Sequence, residues 1–212
     1  AQDGTNLRQL TNDPAYDNWW PRISPDRRKI LYYRAPAGEG SDYALADLMV
    51  MDVDGANPTL LRAAGDDGWS IQTHAEWSPS GDELVMCGTA NDTVHLFVTS
   101  HRGTDYRQLT FDGTWNCDPS WSPDGQELAY VSFETRTSAI YVQRLSTGER
   151  RRVSARAGIN GAPAFAPDGR RLAVTLSRNG NLDIYILDLG TQALTRVTSD
   201  DAIDTEAAWS PD

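Results

Sequence analysis

The sequence predicts an all-β fold, a β-propeller of four-stranded antiparallel blades, and a repeated phrase and its spacing carry that prediction. The phrase recurs as WSPSGDELVM at 77–86, WSPDGQELAY at 121–130, FAPDGRRLAV at 165–174 and WSPD at 209–212. Its prolines lie 44 residues apart, at Pro79, Pro123, Pro167 and Pro211. A period of about 40–45 residues is the length of one propeller blade. Each unit also contains four short strand-like runs and no helical periodicity.

The unit at 118–154 shows how residue chemistry places the strands. β-branched and aromatic residues alternate with polar ones in PSWS, ELAYVSF, SAIYVQRL and RRRVS. Between the first two runs, Pro123 presets φ for a tight turn and Gly125 supplies the positive φ that the turn requires. The segment LSTGER makes a second short turn between the third and fourth runs. These signals predict one antiparallel meander per unit.

The repeat divides the chain into four complete blades and two terminal strands. An earlier, degenerate copy around Pro25, ISPDRRKILYY, belongs to the first blade. The expected blades span about 12–62, 63–111, 112–154 and 155–198. Residues 5–11 are predicted as a lone fourth strand and 205–210 as the first strand of a further blade.

The terminal strands predict an incomplete ring. The blade that they would share lacks its two middle strands, so the chain ends cannot pair to remove the exposed edges. We therefore expect a segment of a larger ring of six or seven blades. A four-bladed ring with stray terminal strands, or a ring completed by another protomer, is the alternative.

Charge and hydropathy exclude several classes of protein. The chain has 30 acidic and 19 basic residues, a net charge of −11, which would repel a nucleic acid. It has no apolar run of the roughly 18 residues that a membrane span needs, so no transmembrane segment is expected. Residues 1–20 lack the pattern of a signal peptide, and we expect any export signal to be absent from this chain.

The two cysteines, Cys87 and Cys117, are too few for a disulfide framework and have no zinc-type CxxC spacing. They belong to different strands of neighbouring blades. We expect their Cα atoms to lie farther apart than the roughly 7 Å that a disulfide allows, which predicts free thiols. The sequence shows no partner base that would make either thiol a nucleophile.

The longer connections predict which face of the propeller binds ligands. The PDG and TG turns lie on one face, and the second-to-third and fourth-to-first connections lie on the other. Both obvious insertions, at 35–47 and 63–74, fall on that second face. Variable loops on a rigid scaffold are where binding usually resides, so we expect binding there.

Seven tryptophans form two groups. Trp77, Trp121 and Trp209 precede the SP of the repeat, where a large ring would fill the wedge between blades. Trp115 occupies the same repeat position as three isoleucines and is predicted as another packing residue; these are Ile71, Ile159 and Ile203.

Trp19, Trp20 and Trp69 match no repeat position. They are candidates for an aromatic surface that binds a sugar ring, a peptide or a partner protein. The alternative is aromatic packing beneath the long loops.

The innermost strands suggest an axial site. The residues five positions before the motif prolines are Trp20, His74, Asp118, Ala162 and Glu206. His74, Asp118 and Glu206 are therefore candidates for a cation or polar-ligand site in the central channel. The alternative is that they are solvated rim residues, and we predict no cofactor, no metal centre and no catalytic residue.

Several segments resemble the repeats of TolB-like propellers. They are Pro119–Gly125, LAYVS at 128–132, DIYILDL at 183–189, LRQLT at 7–11 and YRQLT at 106–110. The resemblance covers essentially the whole chain, and the Gly-His and Trp-Asp pairs of WD-type blades are absent from the sequence. The resemblance implies fold more firmly than activity.

The resemblance implies a non-enzymatic docking module that binds proteins in the bacterial envelope, either periplasmic or extracellular. One alternative is the substrate-gating propeller of a serine peptidase similar to prolyl oligopeptidase, whose hydrolase domain would be absent, since the chain has no G-x-S-x-G elbow. Another is a propeller-borne polysaccharide lyase or sugar-binding protein.

Overall fold

The computed structural model describes residues 7–39, 43–178 and 180–210. These residues form four separate four-stranded sheets, in which consecutive strands pair antiparallel in sequence order. The predicted fold of four-stranded propeller blades is confirmed.

The strand bounds follow the repeat. Blade 1 contains β1 (Tyr16–Ile23), β2 (Lys29–Pro36), β3 (Asp47–Asp52) and β4 (Thr59–Arg62). Blade 2 contains β5 (Gln72–Trp77), β6 (Glu83–Ala90), β7 (Thr93–Ser100) and β8 (Arg107–Gln108). Blade 3 contains β9 (Asn116–Trp121), β10 (Glu127–Ser132), β11 (Ala139–Arg144) and β12 (Arg150–Ser154). Blade 4 contains β13 (Asn160–Phe165), β14 (Arg171–Leu176), β15 (Asp183–Asp188) and β16 (Leu194–Arg196). Short 3-10 turns at Tyr43–Leu45 and Asp66–Gly68 lie in the two insertions.

The tight PDG turn also connects neighbouring blades. In blades 2, 3 and 4 the turn glycine lies over the motif proline of the preceding blade, and a Cβ on Gly125 would sit 3.8 Å from Pro79 Cδ. Gly125 adopts a φ of 69°, as the sequence predicts. Ser122, the residue before Pro123, donates a hydrogen bond from its hydroxyl to Asp124 Oδ1 at 2.6 Å, which closes the turn. The motif therefore serves both the turn within a blade and the contact between blades.

Three apolar cores lie between successive blades. Leu31 and Tyr33 of blade 1 pack with Leu84 and Met86 of blade 2. Further cores join blade 2 to blade 3 and blade 3 to blade 4, and the motif residue Trp121 is buried in the first of these. Trp77 and Trp209, at the same repeat position, are half-buried.

The terminal segments differ from expectation. Residues 5 and 6 lie outside the described residues, and residues 7–11 and 205–210 form no strand. Leu10 nevertheless packs on the outer apolar face of blade 1. Trp209 donates from Nε1 to Ala164 O at 3.0 Å, as Trp77 does to Arg22 O at 3.1 Å. Both segments thus cover the outer faces of the terminal blades without extending a sheet.

The prediction of free thiols is wrong. Cys87 and Cys117 form a disulfide with a Cα–Cα distance of 5.4 Å. The innermost strand of blade 3, β9, packs directly against β6 of blade 2, which brings the two cysteines together. The bridge therefore links two neighbouring blades.

Among the described residues, no helix has the length and apolarity needed to cross a membrane.

Candidate functional site

An irregularity in each innermost strand shapes the centre of the molecule. The residue five positions before the motif proline has a positive φ in every copy: 49° at Trp20, 51° at His74 and Asp118, 43° at Ala162 and 55° at Glu206. The strand register shifts at this position in all four blades, as at a β-bulge. Bulges re-aim side chains, and a positive φ is uncommon for residues other than glycine. The five copies of the repeat therefore share one strained backbone position, and the bulge there redirects the side chain.

These redirected strands line one side of an axial cavity. Strand β1 contacts β5, β5 contacts β9, and β9 contacts β13. The cavity, of about 650 Å³, is lined by residues of all four blades and of the segment 205–210. Two repeat positions supply most of its polar wall, the bulge residue and the residue two places later.

His74 is held between two neighbouring blades. Its Nε2 lies 3.2 Å from Asp118 Oδ1, and its ring centroid lies 4.3 Å from that of Trp20. Its Nδ1 lies 3.1 Å from the hydroxyl of Thr73. Burial lowers the pKa of His74 more than the carboxylates of Asp118 and Glu206 raise it. The imidazole is therefore neutral near pH 7, and its Nε2–H donates to Asp118.

Arg22 and Glu76 form a second polar pair in the cavity wall, with an Nε–Oε1 distance of 3.5 Å. Burial raises the pKa of Glu76 to about 7, although Arg22 opposes that shift. A nearby cationic group would favour the charged carboxylate and hence the loss of this proton.

The wall of the cavity is acidic on balance. Three carboxyl groups, from Glu76, Asp118 and Glu206, face one guanidinium, from Arg22, and a neutral imidazole. Such a wall favours a cationic group or a strong hydrogen-bond donor.

The structure brings part of the predicted site set together. His74, Asp118 and Glu206 line the one cavity, and Trp20 packs on His74 behind them. Trp19 and Trp69 are not among the described residues that line it.

Trp19 and Trp69 lie instead in the packing between blades 1 and 2. Trp19 stacks on Tyr33 with centroids 6.4 Å apart, and Trp69 packs on Phe97 at 4.4 Å. The guanidinium of Arg62 lies 4.0 Å from the centre of the Trp69 ring. Trp115, predicted to pack, is 37% exposed. Trp19 and Trp69 therefore pack between the blades in the described structure, and the aromatic-surface hypothesis stays a prediction.

Sequence reasoning missed Arg22 and Glu76. Each lies three residues before a motif proline, as do three further lining residues: Ser120, Ala164 and Ala208. The signal was available, because this position recurs in every copy of the repeat, two residues after the position of His74, Asp118 and Glu206. Sequence reasoning also did not predict that His74 lies beside the disulfide. Cys117 Sγ lies 3.5 Å from His74 Nδ1.

The fold and the cavity define a β-propeller with an acidic axial cavity. Residues 117–212 match the family model described as the TolB beta propeller domain. The repeats within residues 117–212 thus match TolB-type propeller repeats, as the motif predicts.

Solved structures share the fold. A candidate TolB from Agrobacterium tumefaciens is 21% identical with a TM-score of 0.81, over 96% of this chain and 69% of that one. TolB from Acinetobacter baumannii is 18% identical with a TM-score of 0.73, over 89% of this chain and 45% of that one. An oligogalacturonate lyase in complex with manganese is 16% identical with a TM-score of 0.67, over 90% of this chain and 55% of that one. At these identities the similarity establishes the fold.

One curated relative matches part of the chain. It is the protein Atu1656 of Agrobacterium fabrum, 33% identical over 86 residues. The match covers 39% of this chain and 28% of the length of that relative.

Proposed function

We propose that this chain is a non-enzymatic docking propeller that binds a partner protein by receiving one of its cationic side chains in the axial cavity. The observation that carries the proposal is the convergence of Glu76, Asp118 and Glu206 on one cavity. These residues come from two blades and the segment after the fourth, so only the assembled propeller forms the site.

The size of the cavity supports this function. Ligand cavities in proteins are typically about 300–1,000 Å³, and this one is about 650 Å³. That volume accommodates a long side chain with its neighbouring backbone. Arg22 pairs with Glu76, which leaves Asp118 and Glu206 as the principal partners for an incoming ammonium or guanidinium group.

The similar solved structures and the disulfide support a location in the bacterial envelope. Two of the solved structures with this fold are named as TolB proteins, and the resemblance of the repeats implies protein docking in the bacterial envelope. Disulfides persist in oxidising compartments such as the periplasm, and Cys87 and Cys117 are bridged. These observations support our proposal that the protein acts in the periplasm or outside the cell.

Site-specific photocross-linking tests the proposal. A photoreactive residue replaces Ala208, an exposed residue that lines the cavity, and the labelled chain is irradiated in an envelope extract. The matched control carries the same group at Ser146, an exposed residue of the turn between β11 and β12. We expect a defined protein adduct from position 208 and none from position 146.

Charge removal provides the second arm of the test. The double substitution Asp118→Asn and Glu206→Gln removes two carboxylates while keeping similar shapes. We expect adduct yield at position 208 to fall about tenfold, which corresponds to about 1.4 kcal/mol of binding. Equal yields with and without the two carboxylates, or no adduct at position 208, would contradict docking through this cavity.

A further inference from the structure

Three metal-ligating side chains meet beside the cavity wall. Sγ of Cys87, Sγ of Cys117 and a ring nitrogen of His74 all lie within 4.8 Å of one another. The residues come from β6, β9 and β5, and the Cα atoms of the two cysteines are 5.4 Å apart. Both cysteines are buried, whereas His74 also lines the cavity. The cluster therefore has an inner sulfur side and an outer side that faces the cavity.

The orientation of His74 suits a metal ligand. Its Nε2 lies 3.2 Å from the Asp118 carboxylate, and its Nδ1 lies 3.5 Å from Cys117 Sγ and 3.1 Å from the Thr73 hydroxyl, which a metal would replace as its partner. Metal-binding histidines commonly donate their second ring N–H to a carboxylate, which fixes the tautomer and raises the basicity of the ligating nitrogen. Asp118 supplies that carboxylate from the neighbouring blade.

The distances also fit a tetrahedral centre. With Zn–S near 2.3 Å and Zn–N near 2.0–2.1 Å, the N···S edge of a tetrahedron is about 3.6 Å and the S···S edge about 3.8 Å. The Nδ1–Sγ distance of 3.5 Å already matches the first value. Cys87 Sγ lies within 4.8 Å of the ligating ring nitrogen. The two sulfurs must also separate from each other, which cleavage of the disulfide permits.

We propose that reduction of the Cys87–Cys117 disulfide converts this cluster into a zinc site held by Cys87 Sγ, Cys117 Sγ and His74 Nδ1. Water from the cavity completes the fourth position. The disulfide and the metal are alternative links between blades 2 and 3, and the redox state selects between them.

The step balances with a dithiol as reductant. The dithiol supplies two electrons and two protons, becomes a disulfide itself, and leaves Cys87 and Cys117 as thiols. Zn²⁺ then displaces the two thiol protons, because the metal binds thiolates. A small disulfide reverses the step: it takes up two electrons and two protons to become two thiols, while Cys87 and Cys117 bridge again, which removes two ligands and releases the ion.

Metal uptake by the full chain tests this inference. The chain is reduced with dithiothreitol under argon until two free thiols are measured, freed of reductant, and titrated with Co²⁺ and then Zn²⁺. We expect one Co²⁺ per reduced chain, with thiolate-to-cobalt charge transfer in the near ultraviolet and the visible bands of a tetrahedral centre. Zn²⁺ should displace the cobalt, and the oxidised chain should show none of these bands.

Variants separate this site from adventitious binding. Cys117→Ser and His74→Ala should lose the tetrahedral spectrum. Asp118→Asn should keep it with about 10–100-fold weaker affinity, because it changes only the orienting carboxylate. His101→Ala, which alters an exposed histidine at another repeat position, is the matched control and should bind like the unaltered chain.

Three results would overturn the inference: no Co²⁺ uptake by the reduced chain, an unchanged spectrum in His74→Ala, or a disulfide that stays intact while the chain is folded. Circular dichroism of each reduced variant shows whether a loss of binding accompanies a loss of fold.

Discussion

Gly88 shows how one residue permits an aromatic contact between loop and blade. The Trp69 ring lies so close that a Cβ on Gly88 would meet Trp69 Cζ3 at 2.1 Å. Trp69 in turn carries the guanidinium of Arg62, which also pairs with Asp67 at 3.0 Å. Trp69 thus lies between Gly88 and the guanidinium of Arg62, and this stack holds the insertion at 63–74 in place.

The substitution Gly88→Ala should destabilise the chain by about 1–3 kcal/mol, because the ring must move out of its site. Urea denaturation followed by tryptophan fluorescence measures the change. Gly161→Ala is the matched control: its added Cβ would meet only Ile159 Cγ2, at 3.9 Å, so we expect a change within about 0.5 kcal/mol. A Gly88→Ala variant as stable as Gly161→Ala would contradict this role of Trp69.

At the scale of the element, a buried amide begins most innermost strands and binds the preceding blade. Gln72 donates to Ala46 O, and Asn116 donates to Val94 O at 3.4 Å. Asn160 donates to Ser138 O at 3.1 Å and Arg156 O at 2.8 Å, and accepts from Ser154 Oγ at 2.7 Å. The amide side chain at the start of the strand therefore donates a hydrogen bond to a backbone carbonyl oxygen where one blade leads into the next.

Replacement of Asn160 by leucine should lower the free energy of unfolding by about 3 kcal/mol, because it leaves several buried polar groups without partners. Asn181→Leu provides the control, since the partners of Asn181, Asp200 O and Ala202 O, lie in an exposed turn where water replaces the amide. We expect that control to change stability by about 0.5 kcal/mol. Equal losses in the two variants, measured by chemical denaturation, would argue against a bridging role for Asn160.

The blades were predictable from sequence because turn chemistry and strand patterning repeat in each unit. The prediction of free thiols failed for a reason that lies between units. Cys87 and Cys117 occupy different strands of different blades, and their distance depends on how far β9 packs onto β6. No pattern within a single repeat contains that information.

At the scale of the whole molecule, the sequence predicted the features of the site that depend on position in the repeat. It did not predict the features that depend on contacts between blades. The shared position of His74, Asp118 and Glu206 before the motif prolines predicted that they face one space, and they do line one cavity. The pairing of Arg22 with Glu76 joins β1 to β5, and burial, which raises the pKa of Glu76 to about 7, arises only when the blades assemble. Trp19 and Trp69 had no repeat partner because they fill the single, irregular junction of blades 1 and 2.

The central claim is that the innermost strands of different blades converge on one acidic axial cavity, and the pKa of His74 in the oxidised chain tests it most directly. Burial lowers this pKa, and the carboxylates of Asp118 and Glu206 raise it. NMR titration of the imidazole signals, assigned by their loss in His74→Gln and recorded with a chelator present, should therefore show a lower pKa in Asp118→Asn. Glu206→Gln should lower it by less, and Asp105→Asn, an exposed loop carboxylate, should leave it unchanged. An identical His74 pKa in the native chain and in Asp118→Asn would contradict the convergence of the blades on this cavity.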